Sequence, residues 1–187
     1  MIKEISDNIW KLSVNSNIYL LNFEEPILVD AGDRSYHDEV LKEISKIISP
    51  EKISKVLFTH LHYDHTGNID MFPNAEFFAH EKEIKSYNKD SYKTILNDDL
   101  FNKFKIKLKP LPEKILNLKV IHTPGHTKGS VCFYLKEKNI MFSGDTLFLN
   151  NNHGRTDLPS SIPEKMQESL DKISKYKINI LCPGHDY

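Results

Sequence analysis

Arginine is nearly absent from this chain: Arg34 and Arg155 stand against 23 lysines. Each is therefore worth weighing, because lysine is a poor substitute for a planar bidentate donor. Cysteine is as rare. Cys132 and Cys182 are far apart, neither belongs to a C-x-x-C pair, and both sit in apolar strand-like stretches, VCFYL and INILC. Buried free thiols are expected, not a disulfide or a redox pair. Charge of one sign is missing too. A net charge of -1 gives no electrostatic footprint for nucleic acid and no acidic tail. No apolar run approaches the ~20 residues needed to span a bilayer. The start, MIKEISDNIWKL, has no basic segment leading into an apolar one, so no secretory signal is expected. These absences point to a cytoplasmic protein without nucleic-acid or membrane partners. At 187 residues the length suits one domain, 1–187.

What is present reads first as strands. IWKLSV (9–14), NIYLLNF (17–23) and PILVDAG (26–32) are short and rich in β-branched and aromatic residues. HDEVLKEISKIIS then predicts a helix with Val40, Leu41, Ile44, Ile47 and Ile48 on one stripe, stopped by Pro50. KVLFT (55–59) and EFFA (76–79) predict further strands. Two helices are expected between His80 and Phe104, with Tyr92, Ile95, Leu96, Leu100, Phe101 and Phe104 at helical spacing. LKVIHT, SVCFYL and NIMFSGD form a strand-rich run. A last helix opens after Pro163 with Met166, Leu170, Ile173 and Tyr176 on one face, and INILCPGHDY closes as strand and loop. Strand runs interleaved with a few helices imply an α/β fold, its sheets covered by helices.

The stretch THLHYDHTGN packs three histidines and an aspartate into positions 60 to 65. His60 and His62 are two apart and project to the same side of an extended segment. Asp64 and His65 follow where Gly67 and Asn68 signal the chain turning away. Imidazole nitrogen and carboxylate oxygen suit zinc, and equally ferrous iron or manganese. Three more donors end strands: His126 in HTPGHTKGS, Asp145 in FSGDTLF and His185 in LCPGHDY. Each alone could be only a turn. Together the seven donors suit two ions sharing a carboxylate.

THLHYDHTGN with HTPGHTKGS, FSGDTLF, CPGHDY and the early VDAG resembles the metallo-β-lactamase fold superfamily over nearly the whole chain. GDTLFLNNNHGRTDLP is similar to its glyoxalase II (hydroxyacylglutathione hydrolase) branch and short relatives. The resemblance implies a four-layer αββα sandwich with metals at one edge, between the sheets. It implies His60, His62 and His126 on one ion, Asp64, His65 and His185 on the other, and Asp145 bridging. Two divalent ions, Zn²⁺ by expectation with Fe or Mn as alternatives, would hold a hydroxide between them. Asp64 would orient that hydroxide and take its proton. The activity implied is hydrolysis of a small-molecule thioester or ester.

Departures from relatives narrow the choice. Zinc β-lactamases commonly carry cysteine where Asp145 stands. Nuclease relatives carry a basic surface and an added domain, and flavin-dependent relatives a further domain. A persulfide dioxygenase with one ferrous iron on His60, His126 and Asp145 is the main alternative, and a lactonase a lesser one. Glyoxalase II continues into a helical C-terminal domain that helps hold glutathione, whereas this chain stops two residues after His185. Arg155 is a candidate clamp for a substrate carboxylate, against a local salt bridge with Asp157. Tyr187 is a candidate thiol contact. His153 reads as an exposed loop residue, His122 as structural, and His37 and His80 as helix openers. The aromatics of 80–104 read as core packing, with a substrate-binding edge as the alternative.

Overall fold

The computed structural model describes residues 1–97, 99 and 107–187. Asn8, in the left-handed conformation at φ 60°, turns strand β1 (Ile2–Ser6) into β2 (Ile9–Ser13). Antiparallel pairing continues through β3 (Asn17–Leu21) to β4 (Ile27–Val29). From β4 the sheet becomes parallel, through β5 (Lys55–Leu57) and β6 (Glu76–Ala79) to β7 (Leu108–Pro110). The second sheet has the order β12-β11-β10-β9-β8. It comprises β8 (Lys114–Ile115), β9 (Leu118–His122), β10 (Val131–Leu135), β11 (Ile140–Gly144) and β12 (Ile180–Pro183). Its pairs are antiparallel except β11 with β12, which is parallel.

Side chains alternate between the faces of a strand, and here both faces are apolar. Ile18 and Leu20 pack outward with α1 (His37–Ile44), α3 (Glu81–Lys89) and α4 (Ser91–Ile95), through Val40, Ile44, Ile84 and Ile95. Tyr19 and Leu21 face inward against Val131, Phe133, Leu135, Ile140 and Phe142 of the second sheet. On the far side Cys132, Tyr134 and Met141 meet Leu170 and Ile173 of α5 (Met166–Ile173). Three apolar interfaces thus separate four layers, αββα. Burying each Leu, Ile or Phe contributes roughly 1.5–3 kcal/mol, so the inner interface is the main tie between sheets.

The expected strands and helices are present, with local corrections. The first helix ends at Ile44, so Ile47 and Ile48 lie in the turns before Pro50, and Leu41 is exposed. Strands β1, β7 and β8 were not foreseen. Of the two helices expected over 80–104, α3 and α4 are seen, while Leu100, Phe101 and Phe104 lie outside the described residues. Both cysteines are free and buried. Among the described residues, no helix is long and apolar enough to cross a membrane.

Strands β4, β5, β9, β11 and β12 all finish at one rim, where two backbone bonds join the sheets. Asn17 N donates to the Gly184 carbonyl (2.7 Å) and Val131 N to that of Thr59 (2.9 Å). Every donor singled out in the sequence follows one of these strand ends.

Candidate metal centre

Beyond β5 the chain bends at Thr59 and brings His60 and His62 toward each other. Both are buried, with perpendicular rings 4.6 Å apart. At His62 the chain enters a single helical turn, α2 (Tyr63–Thr66), and Thr66 donates its hydroxyl to the His62 carbonyl at 3.0 Å. That change from extended to helical backbone aims Asp64 and His65 at a second point. His126 arrives from the turn between β9 and β10, Asp145 from the end of β11 and His185 from the end of β12.

The seven side chains converge. His126 Nε2 lies 2.9 Å from His62 Nδ1 and 3.2 Å from His60 Nε2. Asp64 Oδ2 lies 3.3 Å from His185 Nε2 and 3.8 Å from His65 Nε2. Between these sets sits Asp145, with Oδ1 3.3 Å from His65 Nε2 and Oδ2 3.4 Å from His126 Nε2 and 3.6 Å from His185 Nε2. Within His60/His62/His126, and within Asp64/His65/His185, ligand-type atoms lie within 4.8 Å of one another. His60, His65 and Asp145 form a third such grouping.

The outward ring nitrogens are all engaged, which fixes what the inward ones can do. His126 Nδ1 donates to the Arg155 carbonyl (2.7 Å), His65 Nδ1 to Asp30 (2.9 Å) and His185 Nδ1 to the Asn15 carbonyl (2.9 Å). Thr59 gives its hydroxyl hydrogen to Asp30 and so accepts from His60 Nδ1 at 3.1 Å. His62 Nε2 meets Ser160 at 3.3 Å. A neutral imidazole carries one N–H, so His60 and His126 turn bare lone pairs inward, and His62 does so when its Nε2–H donates to Ser160. Buried His65 Nε2 and Asp145 Oδ1 face each other at 3.3 Å outside hydrogen-bond geometry, and neither has a hydrogen-bond partner among the described residues. Facing lone pairs and orphaned buried atoms are costly alone and are relieved by a cation. The donor set fits divalent metal.

Electrostatics divide the two sets. Burial and the neighbouring histidines hold His60 well below the ordinary imidazole value, and burial lowers His62 to about 3. His126 is lowered by burial against the pull of Asp145. Burial would lower His65 and His185 as well. For His65 the carboxylates of Asp64, Asp145 and Asp30 outweigh it, and for His185 those of Asp64 and Asp145, so both are raised. Asp145 and Asp64 are held low despite burial, chiefly by His65. Burial pushes Cys132 up to about 11 and Cys182 to about 12, so neither thiol is a ready nucleophile.

Asp30 is a site residue that the motif reading passed over. Buried and left-handed at φ 59°, it accepts from Thr59 N (2.8 Å), the Thr59 hydroxyl (2.8 Å) and His65 Nδ1 (2.9 Å). One carboxylate thereby orients His65 directly and His60 through Thr59. The signal was an acid ending the apolar run PILVD, where a buried charge must find partners.

Five of the donors, His62, Asp64, His126, Asp145 and His185, line a cavity of about 270 Å³ that also includes Tyr63, Leu96, Phe148, His153, Arg155, Leu158 and Tyr187. Arg155 reaches this rim, but its guanidinium forms a bidentate pair with Asp157, both bonds 2.9 Å. Tyr187 stacks on His185 at 5.0 Å and meets Phe148 edge-on at 5.5 Å. His153 is exposed at the cavity mouth. His122 stays outside, bonded to the Lys128 carbonyl and stacked on His80. Within 80–97, Tyr87 joins the core as expected, with Ile84 and Ile95 beside it, whereas Tyr92 is exposed rather than packed, and Leu96 reaches the cavity.

A sequence profile described as "Metallo-beta-lactamase superfamily" matches residues 13–185. A protein of Methanocaldococcus jannaschii named "Probable metallo-hydrolase" is 35% identical over 163 residues, covering 86% of this chain and 70% of its own length. A hydroxyacylglutathione hydrolase of Methylobacillus flagellatus is 31% identical over 166 residues, 86% of this chain and 58% of that enzyme. A crystal structure of the protein TTHA1623 in a di-iron-bound form superposes with a TM-score of 0.75 at 28% identity, covering 95% and 91% of the two chains. Profile, relatives, fold and donor arrangement agree, and this chain belongs to the metallo-β-lactamase superfamily of metal-dependent hydrolase-type proteins.

Proposed function

We propose that the chain is a dinuclear metal-dependent hydrolase of a thioester or related small ester. The observation that carries this reading is the position of Asp145, whose two oxygens face histidines of both donor sets. His60, His62 and His126 would hold one ion, Asp64, His65 and His185 the other, and Asp145 both. When bound, two such ions lower the pKa of a shared water toward neutrality and polarise an acyl carbonyl. The protein's own part is to place and deprotonate. Asp64, on the cavity wall, is set to orient the attacking water and accept its proton at Oδ. Phe148, Leu158 and Leu96 offer the acyl group an apolar wall and exclude water from it. Tyr187 is a thiol-side contact in this reading. Arg155 takes a substrate carboxylate only by parting from Asp157.

The hydroxyacylglutathione hydrolase relative supports the thioester, yet this chain spans 58% of its length, so the thiol carrier need not be glutathione. Zinc is the proposed metal on donor chemistry. The same reading takes 1–187 as one domain, acting in the cytoplasm on a small molecule.

Metal analysis of the purified protein, paired with two assays under the same conditions, tests it. Two zinc ions per chain with thioester turnover are expected. One iron per chain with oxygen uptake on a glutathione persulfide would instead establish a mononuclear dioxygenase using His60, His126 and Asp145.

A further inference from the structure

Glu83 is a buried carboxylate that the proposed chemistry does not use. It sits in the first turn of α3, 1% exposed, with no cationic side chain bonded to it among the described residues. Its Oε2 accepts from Leu61 N at 3.1 Å and its Oε1 from Gly129 N at 2.9 Å. The nearby Thr127 hydroxyl favours its charged form. Leu61 lies between His60 and His62, and Thr127 and Gly129 follow His126. One carboxylate thus holds both backbone segments that carry the first donor set, although they leave different sheets.

The contact is built for closeness. A Cβ at Gly129 would come within 2.5 Å of Glu83 N and 2.6 Å of Glu83 Cγ, so only glycine lets the helix start approach. Ser130 holds the same turn: its hydroxyl accepts from Thr127 N at 3.0 Å and lies 2.8 Å from the Thr127 hydroxyl. Burying a carboxylate costs free energy that these two backbone donors offset. For a chain seeking stability alone, an apolar residue would fill the space with less desolvation.

We infer that Glu83 is a positioning residue that sets the separation of His60 and His62 from His126 and so tunes the affinity of that set for its ion. The inference rests on the reading that these three imidazoles hold a divalent cation. The second set is secured otherwise, His65 by Asp30 and His185 by the Asn15 carbonyl, and serves as an internal control.

Glu83→Gln keeps the shape but offers one oxygen, so its amide nitrogen must face one of the two backbone N–H groups. The test places it in two backgrounds, His65→Ala, which leaves the first set intact, and His126→Ala, which leaves the second. Each is titrated metal-free with Co²⁺, following its visible absorption, and melted without metal. In the His65→Ala background the Co²⁺ dissociation constant should rise about 10- to 100-fold, the range seen when groups orienting a ligand are removed, with altered absorption bands. In the His126→Ala background it should not move. Gly129→Ala should reproduce the first effect with Glu83 intact. Equal Co²⁺ affinity with and without Glu83→Gln in the His65→Ala protein, only the melting temperature having dropped, would overturn the inference while leaving the donor assignment standing. If His126→Ala itself leaves the metal content of the otherwise unaltered protein unchanged, the first-set reading fails and the inference goes with it.

Discussion

The two donor sets are neighbours built on opposite electrical principles. His60, His62 and His126 are three imidazoles with no carboxylate of their own, and burial keeps them neutral. Asp64, His65 and His185 form a mixed set in which carboxylates outweigh burial and favour positive charge on the rings. A cation entering the first set relieves facing lone pairs and displaces no proton. One entering the second must compete with protons already favoured there. A shared ligand does not make two sites equivalent: Asp145 stands between a proton-insensitive set and a proton-sensitive one.

Removing the coupling gives the largest expected effect. Asp145→Ala should lower turnover by well over about 100-fold, because even outer partners of metal ligands cost 10- to 100-fold, and metal content should fall in both sets; near-normal turnover would break the pairing. Asp64→Ala comes next. It should retain the ion of the first set, measured by metal analysis, while losing about 10²- to 10⁴-fold in turnover, the usual worth of a positioned base. His65→Ala should leave one ion per chain and cripple a dinuclear hydrolase; activity largely spared would favour the mononuclear alternative.

Acidity separates the sets without mutation. Groups with raised values take up protons at higher pH, so as pH falls the Asp64/His65/His185 set should lose its ion first. The loss should begin at or above the ordinary imidazole value of about 6.5. The first set, with His62 at about 3, should keep its ion to lower pH. Metal content after equilibrium dialysis across that range reads this directly, and simultaneous loss of both ions would contradict it. Smallest of all is Arg155→Ala: with the guanidinium committed to an exposed pair with Asp157, melting should be unchanged and any effect confined to KM for carboxylate-bearing substrates.

The legible parts of this molecule were those where chemistry and local pattern coincide. The run from His60 to His65 carries unusual residue types at short spacing, and His126, Asp145 and His185 each follow an apolar strand with a glycine turn. Asp30, although it lies in VDAG, and Glu83 do not announce their partners in the same way. An aspartate after a strand and a glutamate opening a helix are ordinary in sequence, and only the fold brings one to Thr59 and His65 and the other to Leu61 and Gly129. Strand β1, with Lys3 and Glu4 at an edge, offers too little apolar alternation to stand out. Strand β8 is two residues long and exists only by pairing with β9. Helix α1 ends early because Ile47 and Ile48 reach the core from turns, a packing the apolar stripe could not distinguish from continued helix.

The placement of His185 at the end of β12 bears on how the chain assembles. Strand β12 pairs with β11 at the edge of its sheet, and its last residues bond to Asn15 and Asn17 near the other end of the chain. Closing so long a loop carries an entropic cost. If that closure follows the rate-limiting step, bound ions slow unfolding and leave folding unchanged; if it precedes it, they hasten folding instead, and folding and unfolding rates with and without metal tell the two apart.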